Sequence, residues 1–242
     1  MPRDPLTEKR LAAQAGADLV QDGMVVGLGT GSTAELLIPA LRARMDLGLR
    51  FTAFATSRRT HALAADAGID IREFDGSVGI DLTIDGADEI DPLGNLIKGG
   101  GGAHLYEKII AAGSRTLAII ADSSKLVGVL GTFPLPVEVI PFGHLRLHRE
   151  LSALGCRPHL RVTRSGEPFL TDAGNFIFDC PFGSIPHPAA LAAQIKSMVG
   201  VVEHGLFVGM ASTLVIGHGE IARVTPVARP PGPEENSTTV PA

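Results

Sequence analysis

The chain has 242 residues, of which 45% are hydrophobic and 19% charged. That length is enough for one large globular domain or two smaller ones with a buried core. The formal net charge of −5 argues against a nucleic-acid or anionic-membrane surface, so an anionic ligand needs a locally built site. Cys156 and Cys180 are the only cysteines and lack metal-type spacing, so neither a disulfide scaffold nor a zinc site is indicated.

The N-terminal segment contains no apolar leader. No stretch of the chain approaches the ~18 uninterrupted apolar residues that a membrane span requires. We therefore expect a cytoplasmic protein that binds neither membrane nor nucleic acid.

Apolar strands alternate with helices through the first half of the chain. The helices are predicted at residues 4–23, 32–44, 58–67 and 102–113. The strands are predicted at MVVGLG, FTAFATS, DIREF, DLTIDG and TLAIIAD. This order predicts an α/β fold with a Rossmann-like, mostly parallel sheet and helices on both faces.

The sequence changes in character at Pro134, where PLPVEVIPF carries three prolines. We expect residues 1–133 and 208–228 to form the α/β catalytic domain, with MASTLVIG rejoining the first sheet. Residues 134–207 are predicted to form a smaller α+β domain. Residues 229–242 are rich in Pro, Ser and Thr and are predicted to be a disordered tail.

The first candidate site lies in VVGLGTGSTAELL, where a strand leads through Thr30-Gly31-Ser32-Thr33 into a helix. Free N–H groups and hydroxyls at a helix N-terminus form a natural anion site. Gly29-x-Gly31 also fits a loose dinucleotide fingerprint, which requires an acidic residue ending the next strand. Residues 50–57 contain no Asp or Glu, so a phosphate or small polyol is favoured over NAD. The purely structural alternative is a tight turn capped by Ser32.

The second candidate is DLTIDGADEID, in which Asp85 and Asp88 flank Gly86-Ala87 just beyond a strand. Open α/β sheets bind ligands at this edge. Two carboxylates three residues apart can bind a metal, hold sugar hydroxyls or cap the next segment. No further carboxylate completes a cage, so a metal site is disfavoured.

The third candidate is NLIKGGGGAHLYEKIIAAG, in which Lys98 precedes four glycines, residues 99–102. Glycine is costly to order, so the run indicates that another group must come close to this backbone. Lys98 and the loop N–H groups are suited to bind an oxyanion. Lys125, after the strand TLAIIAD, is a further candidate cation, with an ordinary surface lysine as the alternative.

Helical periodicity predicts that Glu107 lies opposite a core face formed by Leu105, Ile109 and Ala112. Its own face carries small and apolar residues, and such surroundings raise the pKa of a carboxyl by desolvation. A raised pKa suits a general base near neutral pH. The alternative is an exposed Glu107 paired with a neighbouring Lys or His.

Together these motifs resemble one family, the type A ribose-5-phosphate isomerases. The matching segments occur in the family's order over about residues 9–219: GLGTGSTA, TS at 56–57, TIDGADEID, IKGGGGAHLYEKIIA, IADSSK, PLPVEV, TDAGNFIFD and VEHGLF. The resemblance implies interconversion of D-ribose 5-phosphate and D-ribulose 5-phosphate by proton transfer through an enediolate, in the non-oxidative pentose phosphate pathway. It further implies a small-molecule sugar phosphate as the partner, no cofactor and no metal, and a homodimer or homotetramer.

The resemblance also implies which residues act. The proton acceptor matches Glu107, and Asp85, Asp88 and Lys98 complete the predicted catalytic set. The substrate-binding segments match Thr30-Gly31-Ser32-Thr33, Asp85-Gly86-Ala87-Asp88, Lys98-Gly99-Gly100-Gly101 and Lys125. The chain departs from the family at Tyr106, where a basic residue is common in relatives.

Alternatives from other classes are a related sugar-phosphate isomerase or deaminase, and a CoA transferase with a glutamate nucleophile. A transferase should show acyl exchange and a glutamyl thioester. A sugar-phosphate sensor would bind without turnover, but such sensors usually carry a basic helix-turn-helix module, and none precedes Leu11.

Overall fold

The computed structural model describes residues 4–227, so the predicted tail at 229–242 lies outside the described residues. The helices are α1 Pro5–Ala17, α2 Ala34–Asp46, α3 Arg58–Asp66, α4 His104–Ala112, α5 His144–Ser152 and α6 Pro188–Lys196. The strands are β1 Val25–Leu28, β2 Thr52–Ala55, β3 Asp70–Arg72, β4 Ile80–Asp85, β5 Glu89–Ile90, β6 Leu96–Ile97, β7 Ser114–Asp122, β8 Leu135–Val139, β9 His159–Leu160, β10 Phe176–Cys180, β11 Val201–His204, β12 Leu206–Phe207, β13 Thr213–His218 and β14 Ile221–Pro226.

The main sheet has seven strands in the order β14-β13-β7-β4-β1-β2-β3. All neighbours run parallel except the β13–β14 hairpin at one edge. This arrangement confirms the predicted mostly parallel α/β sheet. The antiparallel edge strand β14 has no counterpart in the sequence-based prediction, because most of its side chains are exposed and it lacks the apolar run of the inner strands.

Helices cover both faces of this sheet. Along β7, Ala118 and Ile120 join the core that also contains residues of α1 and α2. The alternate residues Leu117 and Ile119 join a second core on the opposite face, together with Ala111 of α4. Successive strand side chains point to opposite faces, so a continuous apolar strand serves two helical layers.

Helix α1 begins as predicted and ends earlier. Asp4 caps its start by accepting hydrogen bonds from the N–H groups of Leu6 and Thr7, but the last helical residue is Ala17 rather than one near Gly23. The guanidinium of Arg44 in α2 donates hydrogen bonds to the carbonyl oxygens of Ala17 and Val20. These bonds satisfy carbonyl groups at the end of α1 that have no partner within the helix.

Strands β11-β8-β10-β9 form a separate antiparallel sheet. Its core includes Leu147 and Leu151 of α5 and Ile195 of α6. A third sheet, β12-β6-β5, connects the segment after β11 to the loops beside the main sheet, and β13 then pairs with β7. The exact domain boundaries given above stay a prediction. Across residues 4–227, every helix is too short or too polar to traverse a lipid bilayer.

Candidate active site

The predicted segments meet around one cavity of about 90 Å³ at the carboxyl ends of β1 and β4. Every predicted site residue except Asp85 lines it, and Asp85 lies directly behind the lining, in contact with Lys98. The lining residues are Thr30, Gly31, Ser32, Thr33, Gly86, Ala87, Asp88, Lys98, Gly99, Gly100, Gly101, Glu107 and Lys125.

Three buried charged groups, Lys98, Asp85 and Glu107, lie in contact at this cavity. The Nζ atom of Lys98 lies 2.9 Å from Oδ2 of Asp85 and 3.3 Å from Oε2 of Glu107. It also donates a hydrogen bond of 2.5 Å to the carbonyl oxygen of Gly86. One lysine faces two carboxyls, so full ionisation of all three leaves an excess negative charge in a site screened from water.

Asp85 is the better stabilised of the two carboxyls. Its Oδ1 accepts hydrogen bonds from the N–H groups of Thr30 at 3.1 Å and Gly86 at 2.7 Å. A Cβ atom at Gly29 would lie 2.0 Å from this oxygen, so only glycine allows β1 to end against the aspartate. Among the described residues, Oδ2 of Asp85 and Oε2 of Glu107 each lack a hydrogen-bond donor and face only the Lys98 ammonium.

The pKa values follow from this environment. Burial raises the pKa of Glu107 most, and the negative charge on Asp85 raises it further. The positive charge on Lys98 lowers it, and the resulting pKa of Glu107 is about 8. Burial also raises the pKa of Asp85 despite its contact with Lys98. Burial lowers the pKa of Lys98, but the two carboxylates outweigh it, so the pKa is raised and the lysine stays charged. With a pKa of about 8, Glu107 can be protonated and deprotonated near neutral pH.

The predicted core face of α4 is wrong, although Glu107 is desolvated as expected. The buried residues of the helix are His104, Glu107, Ile110 and Ala111, whereas Ile109 is 47% exposed. Periodicity of apolar residues misassigned the face because two of the buried side chains, His104 and Glu107, are themselves polar or charged. Glu107 is buried in contact with Lys98, a residue outside the helix. The periodicity of the helix sequence contains no information about that contact.

The alternative of an exposed Glu107 is also wrong. Glu107 is only 4% exposed. The neighbouring Lys108 points elsewhere, with its Nζ atom 2.8 Å from Oε1 of Glu203 and donating a 2.6 Å hydrogen bond to the carbonyl oxygen of His204. Of the two adjacent charged residues, only Glu107 faces the cavity.

The four glycines meet different requirements. Gly99 and Gly102 have φ of 102° and 81°, in the left-handed region that favours glycine. Gly100 donates its N–H to Oδ2 of Asp88 at 2.8 Å, and a Cβ atom there would lie 2.8 Å from the other carboxylate oxygen. A Cβ atom at Gly101 would meet nothing closer than 3.9 Å. Packing within the protein does not require glycine at Gly101, which lines the cavity.

The hydroxyl loop after β1 is arranged differently from the sequence-based expectation. The Thr30 hydroxyl is occupied by a network with Thr56 at 2.7 Å and Ser57 at 2.8 Å. Thr33 is the N-cap residue of α2 and makes no side-chain cap, so the alternative in which Ser32 caps the turn is wrong. Ser32 instead accepts a 2.9 Å hydrogen bond from Lys9. Sequence reasoning missed Lys9, because no local pattern pairs residues 23 positions apart.

Lys125 belongs to a 3-10 turn, Ser123–Lys125, directly after β7. The buried carboxylate of Glu8 fixes this turn by accepting hydrogen bonds from the Ser123 N–H at 2.9 Å and hydroxyl at 2.7 Å. A hydrogen bond from the N–H of Gly219 is the largest cause of the lowered pKa of Glu8, so the carboxylate is charged at neutral pH. The turn that carries Lys125, a cavity-lining residue, is thus anchored by Glu8.

A larger cavity of about 550 Å³ lies on the other flank of α4 and contains none of the predicted site residues. Its lining residues are Ala55, Ser57, Arg58, His61, Arg72, Glu73, Phe74, Tyr106, Ile109 and Ile110. The ion pair of Arg72 is with the exposed Asp70 rather than with a group buried in the cavity. Buried, mutually perturbed ionisable groups are a stronger indicator of a reaction site than volume, so we place the chemistry in the smaller cavity.

The fold and this cavity define a class of protein. A carboxyl with a pKa near neutrality, a buried lysine and a glycine loop at the carboxyl edge of a parallel sheet are suited to proton transfer on a small polar substrate. The chain belongs to the ribose 5-phosphate isomerase A (phosphoriboisomerase A) family, whose model matches residues 52–220.

Individual relatives agree with the family match. The chain is 50% identical over 219 residues to ribose-5-phosphate isomerase A of Sphingopyxis alaskensis, covering 90% of this chain and 96% of the relative. It is 52% identical over 215 residues to that of a Synechococcus species, covering 88% and 94%.

Solved structures of the family have the same fold. A D-ribose-5-phosphate isomerase in complex with phospho-erythronic acid is similar with a TM-score of 0.89 and 34% identity, covering 93% of this chain and 100% of that one. The enzyme from Methanocaldococcus jannaschii has a TM-score of 0.86 and 36% identity, covering 90% and 97%.

Proposed function

We propose that this protein interconverts D-ribose 5-phosphate and D-ribulose 5-phosphate by proton transfer through an enediolate. The observation that carries the proposal is the buried Glu107, whose pKa of about 8 lies near the operating pH of a general base. Family membership and the similar isomerase bound to phospho-erythronic acid support a sugar phosphate as the substrate.

In the proposed reaction, Glu107 removes the proton from carbon 2 of the linear aldose. The electrons of that C–H bond form the carbon 1–carbon 2 double bond, and the carbon 1 carbonyl oxygen gains negative charge. A proton moves from oxygen 2 to oxygen 1, and Glu107 returns its proton to carbon 1, which leaves the carbonyl at carbon 2. No oxidant or reductant is consumed, because the atoms of aldose and ketose are the same.

Lys98 and the N–H groups of the glycine loop would stabilise the enediolate oxygen. A charged lysine and fixed backbone donors act strongly in a buried site, because little water screens them. Asp85 and Asp88 would orient sugar hydroxyls and assist ring opening. Both carboxylates are held rigidly by backbone N–H groups, Asp85 by Thr30 and Gly86, and Asp88 by Gly100.

The substrate phosphate would bind at the start of α2. Ser32, Thr33 and the N–H groups there offer hydrogen-bond donors at the positive end of the helix dipole. Lys9, which reaches Ser32, and Lys125, which lines the cavity, would add two positive charges. These charges form the local anion site that the acidic chain as a whole requires.

The resemblance further supports a cytoplasmic homodimer or homotetramer acting in the non-oxidative pentose phosphate pathway. Light scattering of the purified protein measures the oligomeric state. A monomer at working concentration would contradict this part of the proposal.

The test of the reaction is incubation with ribose 5-phosphate in deuterated water, without added metal or nucleotide, followed by NMR. We expect formation of the ketose with deuterium at carbon 1, because the proton on Glu107 exchanges with solvent during transfer. Absence of ketose at high enzyme concentration would contradict the proposed function. Ketose free of deuterium would contradict a solvent-exchanging base.

A further inference from the structure

An arginine from outside the predicted site contacts the glycine loop from behind. Arg161 directly follows β9 and lies 62 positions after Gly99. Its Nη1 atom donates hydrogen bonds to the carbonyl oxygens of Gly99 at 2.9 Å and Gly100 at 3.2 Å. The guanidinium therefore binds two successive carbonyl groups of the loop that lines the cavity.

Asp179 of β10 fixes this guanidinium. Its two carboxylate oxygens accept hydrogen bonds from Nε of Arg161 at 3.0 Å and from Nη2 at 2.5 Å. A bidentate Arg–carboxylate pair holds the guanidinium plane in one orientation. Both residues belong to the segment with the four-stranded sheet, so that part of the molecule contributes a rigid contact to the cavity of the main sheet.

The contact helps to set where the loop N–H groups point. The Gly99 carbonyl also accepts a 3.0 Å hydrogen bond from the Gly102 N–H, whereas the Gly100 carbonyl is bound by Arg161. In a trans peptide, the carbonyl and the N–H of the same unit point in opposite directions. Binding of the Gly99 carbonyl to Arg161 directs the Gly100 N–H to the other side, where it donates to Asp88. Binding of the Gly100 carbonyl likewise directs the Gly101 N–H away from Arg161. Within residues 4–227 the Gly101 N–H has no acceptor, and Gly101 lines the cavity.

The glycines alone do not specify this orientation. Glycine populates a wide range of φ and ψ values, so an isolated Gly99–Gly101 segment would sample several peptide orientations. Stabilisation of a developing oxyanion requires donors that are already aimed before charge appears. A cation bound to the carbonyl side also polarises each peptide and makes its N–H a stronger donor.

We propose that Arg161, oriented by Asp179, is a positioning residue that aims the Gly100 and Gly101 N–H groups at Asp88 and the substrate. The inference rests on the isomerase function proposed above. Arg161 acts through the loop and contacts no reacting atom. Its loss should therefore reduce the rate of proton transfer more than it reduces the affinity for the sugar phosphate.

The test compares kcat and KM for ribose 5-phosphate in wild type, Arg161→Ala and Arg161→Lys, with Arg164→Ala as the matched control. Arg164 is an exposed arginine three positions along the same segment. For Arg161→Ala we expect kcat to fall about 10- to 100-fold, and KM to change less than about threefold. Arg161→Lys should recover little, because an ammonium group cannot bind two carbonyls and a carboxylate in one plane. Arg164→Ala should match wild type.

Guanidinium ion at a sub-denaturing concentration provides a readout that a purely structural role would not show. We expect it to restore part of kcat in Arg161→Ala and none in Glu107→Gln. Wild-type kcat in Arg161→Ala, or a loss that guanidinium does not restore, would overturn the inference while leaving the isomerase function intact. An inactive wild type would overturn the isomerase function and this inference with it.

If Arg161→Ala does not fold, as judged by circular dichroism, Asp179→Asn takes its place. The amide retains the shape of the side chain but loses the charge that holds the guanidinium. We expect a reduced kcat at nearly unchanged KM. Wild-type kcat in a folded Asp179→Asn protein would overturn the inference.

Discussion

Two cavities flank helix α4, and they differ in more than size. The cavity beside Glu107 is about 90 Å³ and contains buried charges that shift one another's pKa values. The cavity beside Tyr106 is about 550 Å³, and Tyr106 itself is 37% exposed. Helix α4 thus separates a small cavity with strongly coupled buried charges from a larger cavity that lacks them. We therefore expect reactivity to depend on converging, desolvated charges rather than on cavity volume.

The largest effect should come from Glu107→Gln, which removes the base and keeps the shape of the side chain. We expect kcat to fall by about 100-fold or more with KM mostly unchanged, because the amide cannot accept the carbon-bound proton. Steady-state kinetics with ribose 5-phosphate measure both constants. If the Glu107→Gln variant keeps more than a tenth of the wild-type kcat, another residue must be the base, and Asp85 is the next candidate.

A smaller effect is expected at the start of α2. Replacing Ser32 and Thr33 with Ala removes two hydroxyls near the proposed phosphate position and should raise KM about tenfold, equivalent to ~1.4 kcal/mol. We expect kcat to change little, because these groups lie away from the transferred proton. Ser165→Ala, an exposed serine outside the cavity, is the matched control. An unchanged KM in the double variant would show that the phosphate binds elsewhere.

The glycine loop offers a comparison between two glycines. Neither Gly101 nor Gly128 has positive φ, and neither would bring a Cβ atom into close contact with the protein. Each change to Ala should therefore leave the melting temperature equal or slightly higher. Only Gly101 lines the cavity, so Gly101→Ala should raise KM about threefold to tenfold and Gly128→Ala should not. Equal KM values for the two variants would mean that the substrate does not approach Gly101.

The smallest effect is expected in the larger cavity. Tyr106→Phe and Ile109→Ala should each change kcat and KM by less than about twofold, because neither side chain faces the buried charges. The same kinetic assay applies. A loss comparable to that of Glu107→Gln would reverse the comparison between the two cavities.

Much of the fold could be predicted because its signals are local. Apolar strands alternating with helices indicate a parallel sheet, and Asp4 before Pro5 indicates a helix start. The edge strand β14 and the early end of α1 were missed, because the first has exposed side chains and the second depends on Arg44 from another helix.

The candidate site was predictable in outline for a different reason. Its segments follow strands β1, β4 and β7 or contain a glycine run, and the carboxyl ends of parallel strands meet at one edge of the sheet. Lys9 and Arg161 were not predicted, because the cavity-lining residues that they contact, Ser32 and Gly99, lie 23 and 62 positions away in the chain. The buried face of α4 was misassigned since a hydrophobic pattern cannot anticipate a buried ion pair between Glu107 and Lys98.

The proposed isomerase reaction requires Glu107 to act as a base whose pKa is raised by burial. Only the deprotonated form accepts a proton, so activity must increase as pH rises through the pKa of about 8. The decisive measurement is kcat/KM from pH 7 to 9.5, above the range in which the substrate phosphate titrates. We expect a rise to a plateau, with the value at pH 7 roughly tenfold below it. A flat profile, or one that falls with pH over this range, would contradict the assignment of Glu107 as the base.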